Sequence, residues 1–468
     1  MNKSKLVRLL KTMSSLEWKA LRKFVDSPFH NDQKKVTELY EYIFQTMPDF
    51  EEDALTKEVV WQKLYGKEVF KDSRLRRVMS DLLRVCEEFL DWEMYKNTPQ
   101  QVQINRLRYY RTHHLDKFFK ATLQDIRMYE QQHPQQDIWH YFYQLGISHE
   151  ITNQISQQRK RTEEPNLQEV SNHLDAFYLI NKLKCCCSIF NYQNLAVANY
   201  EVPMIKEVLM HLEEQDYSHI PLIVIYHKCL LTLLEPEKTV HFQELKTTLF
   251  EHQSLFSQEE ARDIFVLARN YCIKQANQGK QEYLKELLDL YEVELANGIL
   301  LDHGFLSPFT YKNIVTLGIK LKRYEWTQVF IEEYKTFLSE EFRESTYAFN
   351  LARLYFDKED WAKVIPLLNQ MEYKEIFLEL SARNLLMKTY YEMEEFEVLI
   401  SFLDSFQMFL RRKKKILGYH CTGYMNLIKV TRQLVRLEYG KKEEREKFKQ
   451  KVVEMKEIVD KQWVLNKL

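Results

Sequence analysis

The stretch TYAFNLARLYFDKEDWAKVIPLLNQM (346–371) aligns with the stretch SARNLLMKTYYEMEEFEVLISFLDSF (381–406) at a shift of 35 residues. Under this shift the large apolar and aromatic residues coincide, in the pairs Leu351/Leu386, Tyr355/Tyr390, Phe356/Tyr391, Trp361/Phe396, Val364/Leu399 and Leu368/Leu403. An acidic pair precedes the aromatic residue at the middle of each stretch. Repetition with a period of 20–50 residues is typical of repeat proteins, so these two stretches predict a repeated structural unit.

Each stretch has the pattern of a helical hairpin. Leu351, Leu354 and Tyr355 share one face of a first helix at i, i+3 and i+4 spacing. Glu359 and Asp360 interrupt that pattern, and Asp360 is the expected N-cap of the second helix. A single hairpin cannot bury the apolar faces of both its helices. The pattern therefore predicts neighbouring hairpins and an all-α superhelix, an α-solenoid.

The repeat resembles the tetratricopeptide repeat, whose unit of about 34 residues carries a Leu, a small residue and a Tyr on its first helix. The matching residues in the first stretch are Leu351, Ala352 and Tyr355. The second stretch has Met387 at the small position, and Val364 occupies a position where a small residue is expected in the second helix. The resemblance implies a degenerate, tetratricopeptide-like array.

The composition favours long helices along the whole chain. Glycine (9 residues) and proline (10 residues) each supply about 2 percent of the 468 residues, against averages of roughly 7 and 5 percent. Aromatic residues make up 13 percent and can fill the seams between helices. Lys plus Arg (67) and Asp plus Glu (68) nearly cancel. The overall charge therefore gives no general attraction to nucleic acid or to an anionic membrane.

Cysteine usage and the lack of long apolar runs indicate a soluble protein. The seven cysteines include no C-x-x-C spacing, so the sequence predicts neither a disulfide framework nor a zinc site. The first residues lack the apolar core of a signal peptide. The longest apolar region, 220–234, is too short to cross a bilayer. We expect a cytoplasmic protein without membrane insertion.

Changes in the sequence pattern divide the chain into four predicted segments. These are a helical N-terminal module (1–98), a divergent helical-hairpin solenoid (99–307), the tetratricopeptide-like repeats (308–415) and C-terminal capping helices (416–468). Ser14 and Glu17 have capping-box spacing at the start of a helix in the first segment. We expect single helices over 107–129 and 416–439, and a final helix that packs Val452 and Trp463 against the array.

Six matching segments resemble a family of helical-repeat proteins common in Bacteroidota. They are SPFHN (27–31), RLRRVMSDLLR (74–84), YEWTQVFIEEYK (324–335), NLARLYF (350–356), SFLDSFQMFLRRKKK (401–415) and WVL (463–465). The resemblance implies a tetratricopeptide-like array that follows a helical N-terminal module. It brings no assigned activity.

No catalytic or cofactor-binding motif is evident in the sequence. The glycines form no phosphate-binding fingerprint, and the 14 histidines show no H-E-x-x-H spacing. His113 with His114, and His140 with His149, lack the spacing of metal ligands on one helix. The cysteine triplet 185–187 is interpreted as buried packing residues. We therefore predict a protein that is not an enzyme and that uses no cofactor or metal.

Two basic features offer alternatives. The run RRKKK (411–415) is predicted to be a solvated surface at the end of the 395–410 helix, with an acidic partner as the second hypothesis. Arg74, Arg76, Arg77 and Arg84 follow a short helix and loosely resemble a helix-turn-helix, which would make the N-terminal module a nucleic-acid-associated regulator. Acidic residues on the same helix and the neutral chain make nucleic acid the less favoured partner.

The main hypothesis is a scaffold that binds a protein or peptide partner. In tetratricopeptide arrays the first helix of each hairpin lines a groove, and the resemblance carries this role onto matched residues here. These candidate partner-binding residues are Asn350, Arg353, Phe356, Asp357, Asn384, Lys388 and Tyr391. Basic, amide and aromatic side chains in one row suit an extended peptide with a carboxylate group. Replacing Arg353 and Lys388 with Glu is expected to abolish partner binding and to leave thermal stability nearly unchanged.

Overall fold

The computed structural model describes residues 1–48, 50–51, 53–158, 164–195, 199–369, 371–418, 420–437 and 442–468. Most of these residues are helical, and the predicted all-α class is confirmed. Within these ranges the one departure is a hairpin of two-residue strands, β1 (Leu301–Asp302) and β2 (Phe305–Leu306). The strands are antiparallel, with Leu301 opposite Leu306. The sequence analysis missed this hairpin.

The chain forms two compact units, Met1–Tyr178 and Leu179–Leu468. The boundary between them falls inside one helix, Leu167–Leu195. This division is coarser than the four segments predicted from the sequence, which remain a prediction.

The described part of the first unit contains eight helices and the start of a ninth. They are α1 (Lys5–Leu10), α2 (Ser15–Val25), α3 (Lys34–Gln45), α4 (Lys57–Tyr65), α5 (Asp72–Lys96), α6 (Pro99–Thr112), α7 (Asp116–Gln132), α8 (Ile138–Gln157) and α9 (Leu167–Leu195). The predicted capping box at the start of α2 is confirmed. The Ser14 hydroxyl accepts from the Glu17 amide, and the Glu17 carboxylate accepts from the Ser14 amide.

Helices α1 to α5 share one hydrophobic core, in which Trp18 is fully buried. Its indole Nε1 donates to the Leu10 carbonyl at 3.1 Å, and the Tyr40 hydroxyl donates to the Trp18 carbonyl at 2.6 Å. Both polar groups of these buried aromatic residues are thus satisfied, as burial requires.

The predicted single helix over 107–129 is wrong. Helix α6 ends at Thr112 and α7 begins at Asp116, so the chain reverses between them. His114 takes a left-handed φ of 57°, and the following amide of Leu115 donates to the Tyr110 carbonyl at 2.8 Å. A left-handed residue of this kind is usually glycine. Because histidine occupies this position, the sequence did not indicate that the helix ends here.

The second unit continues α9 and adds fourteen helices in its described part. They are α10 (Ile205–Glu214), α11 (Pro221–Leu234), α12 (Thr239–His252), α13 (Gln258–Asn277), α14 (Tyr283–Ala296), α15 (Pro308–Lys320), α16 (Tyr324–Tyr334), α17 (Arg343–Asp357), α18 (Trp361–Asn369), α19 (Ile376–Glu392), α20 (Phe396–Leu417), α21 (His420–Leu437), α22 (Lys442–Glu454) and α23 (Lys461–Lys467).

One turn recurs in four hairpins of this unit. It has a left-handed residue after the first helix, at Gly279 (φ 97°), Lys322 (φ 56°), Glu359 (φ 61°) and Glu394 (φ 60°). The amide that follows each of these residues donates to the carbonyl five positions before itself, a helix-ending motif that satisfies a free carbonyl. Glu359 and Glu394 lie 35 residues apart, which confirms the predicted register, whereas Lys322 and Glu359 lie 37 apart.

Asp360 directly precedes α18, as predicted, but the predicted capping by its side chain is wrong. Its carboxylate accepts from the ammonium of Lys363 at 2.5 Å, and within the described residues it caps no amide of α18. The acidic pair forms the turn between α17 and α18. Glu359 is the left-handed residue, and the Asp360 amide donates to the Tyr355 carbonyl at 2.9 Å.

The basic run 411–415 lies inside a helix. Helix α20 continues to Leu417, so the predicted end near 410 and the predicted helix start at Ile416 are both wrong. Helix α21 begins at His420, and the end predicted for it at Tyr439 lies outside the described residues. Gly418, with a φ of 53°, ends α20.

The residues after α22 turn back onto α19 and α21. We call 455–468 the return segment; it contains α23. Val452, just before it, and Val464 within it are fully buried, and Trp463 packs against the same core. The predicted packing of Val452 and Trp463 is confirmed, but the predicted single final helix is wrong, because α22 ends at Glu454 and α23 begins at Lys461. A Cβ at Gly423 of α21 would lie 3.0 Å from the Val459 side chain, so glycine allows this close approach.

Candidate functional site

Three first helices of successive hairpins, α15, α17 and α19, pack side by side in the second unit. The left-handed turn residues Lys322, Glu359 and Glu394 set the register between them. In this register equivalent positions are Lys312/Phe349/Asn384, Thr316/Arg353/Lys388, Ile319/Phe356/Tyr391 and Lys320/Asp357/Glu392. We call the surface formed by these positions the three-helix face.

Two cations of the three-helix face lie near one aromatic ring. The Lys312 ammonium lies 6.0 Å from the centroid of the Phe349 ring, and the Arg353 guanidinium lies 5.8 Å from the same centroid. Nη1 of Arg353 donates to the hydroxyl of Thr316 at 2.9 Å. Within the described residues neither cation lies within 4 Å of a carboxylate oxygen, so the pair has positive charge without a direct counter-charge.

Burial weakens the preference of these two groups for the charged state. It lowers the pKa of Lys312, and the nearby charge of Arg353 lowers it further, whereas Glu375 opposes this effect. Burial also lowers the pKa of Arg353, opposed by Asp357 and Asp460. An anion bound between the two cations would favour their charged forms. The local electrostatics therefore favour a negatively charged ligand.

A cleft of about 130 Å³ adjoins this pair. Lys312, Asn350 and Glu375 line it together with two exposed aromatic side chains, Phe309 and Phe377. Phe309 is 73% exposed and Phe377 is 43% exposed. The cleft thus combines a cation and a carboxylate with apolar rings, the mixture that suits an amphipathic peptide side chain.

The four predicted binding residues of α17 have different environments. Asn350 is buried and donates to the Thr346 carbonyl at 2.8 Å, while its Oδ1 has no partner among the described residues. Phe356 is half-buried and packs on the core of this hairpin. Asp357 is exposed and accepts from the Tyr324 hydroxyl at 2.8 Å. Of the four, Arg353 is the one suited to bind an anion.

The three predicted binding residues of α19 contact the return segment. The Asn384 side-chain amide donates to Oδ2 of Asp460 at 2.8 Å. The Lys388 ammonium forms an ion pair with the same carboxylate. Tyr391 packs edge-on against Trp463, with ring centroids 5.4 Å apart. This end of the three-helix face is therefore occupied by the chain itself.

Glu392 adds a second polar attachment for the return segment. Its carboxylate accepts from the indole Nε1 of Trp463 at 2.9 Å and from the ammonium of Lys467 at 2.6 Å. Lys388 also lies over the Trp463 ring, 5.8 Å from its centroid. Trp463 is thus held through both its ring and its N–H group.

Sequence reasoning missed five residues of this site: Lys312, Phe349, Glu392, Asp460 and Trp463 as a contact of Tyr391. Phe349 could have been found from the 35-residue register, in which it is equivalent to Asn384, and Lys312 by extending the register to α15 with a shift of 37 residues. The contacts of Asp460 and Trp463 connect residues more than 70 positions apart. No local pattern signals such contacts.

The thiols and histidines form no further chemical site in the described part of the chain, where no group of three or more possible metal ligands exists. Cys186 and Cys187 are buried as predicted, whereas Cys185 is exposed. Burial raises the pKa of Cys186 and Cys187, which leaves them mostly as thiols at neutral pH. The Cys187 thiol donates to the Tyr226 carbonyl at 3.4 Å.

The two basic features differ in their counter-charges. On α5, Arg74 pairs with Glu68, Arg76 with Asp72 and Arg84 with Glu88, at 2.6–2.8 Å. These pairs reduce the positive charge available to a phosphate backbone. The five cations of the run 411–415 are all exposed, and none forms an ion pair with another described residue.

Comparison with protein-family models, with curated proteins and with solved structures finds no match to this chain. The site must therefore be interpreted from its own geometry.

Among the described helices, none combines the length and the apolar character needed to cross a membrane.

Proposed function

We propose that this protein is a non-enzymatic scaffold whose tetratricopeptide-like array binds an acidic segment of a partner protein on the three-helix face. The observation that carries the proposal is the pair of cations, Lys312 and Arg353, that lie near the Phe349 ring without a direct carboxylate partner among the described residues. By contrast, Lys246 of the same unit pairs with both Glu286 and Asp289.

A carboxylate is the ligand group that this arrangement fits best. Arg353 already donates to Thr316 through Nη1, and its remaining N–H groups can donate to an anion. Lys312 adds a second positive charge near the same ring. Hydrogen bonds between charged groups of this kind contribute about 1.5–3 kcal/mol each. The exposed rings of Phe309 and Phe377 can cover an apolar neighbour of the acidic residue.

The next repeat shows that the three-helix face can hold a carboxylate. Lys388 occupies the position equivalent to Arg353, and it pairs with Asp460. Asn384, equivalent to Phe349, donates to the same carboxylate at 2.8 Å. The proposed ligand would place its acidic group one repeat earlier, at Arg353, with Lys312 as the second donor because Phe349 replaces the Asn384 amide.

A peptide library displayed on phage tests the proposal without knowledge of the partner. Random 12-residue peptides are selected on the full-length chain, and the affinities of enriched peptides are measured by fluorescence anisotropy. We expect an acidic residue in the enriched peptides and at least a tenfold weaker affinity for Arg353→Glu, because 1.4 kcal/mol corresponds to a factor of ten. Lys312→Glu should act in the same direction.

The matched control changes the charge of the same molecule elsewhere. Lys413→Glu with Lys414→Glu alters two exposed cations of α20 and should leave peptide affinity within twofold. Equal binding of all enriched peptides to wild type and to Arg353→Glu would reject the three-helix face as the binding site. Loss of binding in the α20 variant alone would assign the function to the run 411–415.

A further inference from the structure

The return segment is bound by the residues that the proposed function assigns to a partner. Asp460 supplies the carboxylate, which Asn384 and Lys388 hold. Three positions later Trp463 supplies the aromatic ring, which contacts Tyr391 and donates to Glu392. An acidic residue followed by an aromatic one therefore occupies the α19 end of the three-helix face.

The attachment of this segment is short: besides its polar contacts, Val464 and six partly buried apolar side chains of the segment pack against the core. Helix α23 has seven residues, and Asp460 before it has a left-handed φ of 51° without a side-chain cap. A helix of this length has little stability of its own. The side chain of Asp460 is 34% exposed and that of Lys467 is 30% exposed. Val464 is the one fully buried side chain within α23.

These properties suit a segment that opens without unfolding the rest of the unit. Local opening of weakly attached elements requires less free energy than global unfolding. While the segment is bound, Lys388 and Asn384 are unavailable to any other carboxylate. A competing ligand then binds with an apparent affinity that is reduced by the fraction of molecules in the closed state.

We propose that the return segment is a built-in competitor that occupies the α19 end of the three-helix face. This inference rests on the proposed function and names the partner's chemistry: a segment with an acidic residue followed three positions later by an aromatic residue. Such a partner displaces the return segment and reaches from Lys388 toward Arg353.

A peptide supplied in trans tests this inference on the full-length chain. The probe is a fluorescein-labelled peptide with the sequence MKEIVDKQWVLNKL (455–468). Fluorescence anisotropy compares wild type with Asp460→Asn/Trp463→Ala, in which the competing groups of the return segment are removed. We expect the double variant to bind the peptide at least tenfold more tightly than wild type. Adding Lys388→Glu should cancel this gain.

A matched peptide and a second measurement complete the test. The same peptide with Asn at the position of Asp460 should bind the double variant at least tenfold more weakly. If the double variant retains the wild-type circular dichroism and binds the peptide no better than wild type, the return segment is a permanent structural element and the inference fails.

If the double variant does not fold, hydrogen exchange of the wild-type chain tests whether the return segment opens. Amides of α23 should exchange at least tenfold faster than those in the middle of α21. Equal protection of both helices would overturn the inference. The proposed function is judged separately, because peptides selected on phage must depend on Arg353 whether or not the return segment opens.

Discussion

The side-chain amide of Asn384 donates to the carboxylate of Asp460 at 2.8 Å, although the two residues are 76 positions apart. Lys388, one helical turn after Asn384, forms an ion pair with the same carboxylate. This contact divides the three-helix face into two parts. One part is occupied by the return segment, and the other part contains the exposed Lys312 and the half-buried Arg353.

Lys388→Glu should release the return segment. The substitution replaces an attraction with a repulsion at Asp460, and it removes the cation above the Trp463 ring. A partly buried pair of this kind contributes about 1–2 kcal/mol. Limited proteolysis should therefore cut within 455–468 several times faster than in wild type. The sequence-based expectation of unchanged stability is revised for this residue, because its side chain is already paired.

Two further variants give this prediction its controls. Lys429→Glu makes the same charge change at an exposed residue of α21 and should leave the cleavage rate unchanged. Asp460→Lys in the Lys388→Glu background reverses both charges and should slow cleavage again. Cleavage that is equally fast in all variants would show that the ion pair does not hold the segment.

Gly318→Ala should destabilise the α15/α16 hairpin. A Cβ at this position would lie 2.1 Å from Oγ1 of Thr327, which is fully buried and donates to the Arg323 carbonyl at 2.7 Å. Overpacking of a rigid neighbour costs about 1–3 kcal/mol. The urea midpoint of the second unit should therefore fall, and circular dichroism can measure it.

A second glycine and a suppressor test the cause. Gly146→Ala places its Cβ 2.9 Å from Cδ1 of Ile104, the movable end of a side chain, and should cost much less. Thr327→Ala removes the hydroxyl that Gly318→Ala meets. If it destabilises the Gly318→Ala variant as much as it destabilises wild type, the contact with Thr327 is not the cause.

The regular part of the fold could be predicted because it is local. The register between Glu359 and Glu394 follows from matched residues within 60 positions, and the capping box of Ser14 and Glu17 spans one helical turn. The break at His114 was missed because a left-handed residue other than glycine gives no sequence signal. The occupied half of the site depends on the contact of Asp460 with α19, which only the tertiary structure reveals.

Glu294→Gln should change how stability depends on pH. Glu294 is fully buried, and burial raises its pKa from 4.5 to about 7, although Arg269 donates to it at 3.1 Å and opposes the shift. The folded state therefore binds more protons than the unfolded state between pH 4.5 and 7. The free energy of unfolding falls as pH rises through this window. In wild type this decrease in the free energy of unfolding is about 2–3 kcal/mol between pH 4.5 and 7, and the variant should not show it.

Urea midpoints of wild type and variant at several pH values check this prediction through their difference. The comparison is needed because burial lowers the pKa of His227 to about 4, so this histidine destabilises the fold as the pH falls. That effect is present in both proteins and cancels. Glu282→Gln, at an exposed residue before α14, serves as the control. A difference that stays constant from pH 5 to 7 would contradict the raised pKa of Glu294.

Arg353→Met should separate binding from stability. The guanidinium contacts the Phe349 ring and the Thr316 hydroxyl, and it has no carboxylate partner within 4 Å among the described residues. Thr316 keeps a second hydrogen bond, because its hydroxyl also donates to the Lys312 carbonyl at 2.6 Å. Methionine retains the apolar contact of the side-chain stem with the ring. The urea midpoint should therefore change by less than the equivalent of about 1 kcal/mol, while the affinity for an acidic peptide falls at least tenfold.

Lys388→Met is the matched comparison for Arg353→Met, since the two residues occupy equivalent positions in successive repeats. Lys388→Met leaves the Asp460 carboxylate without its cation, so it should lower the urea midpoint and speed proteolysis of the return segment. Arg353→Met should do neither. If both variants lower stability equally, Arg353 is a structural residue like Lys388. In that case the part of the three-helix face around Lys312 and Arg353 does not keep the Arg353 charge for a ligand.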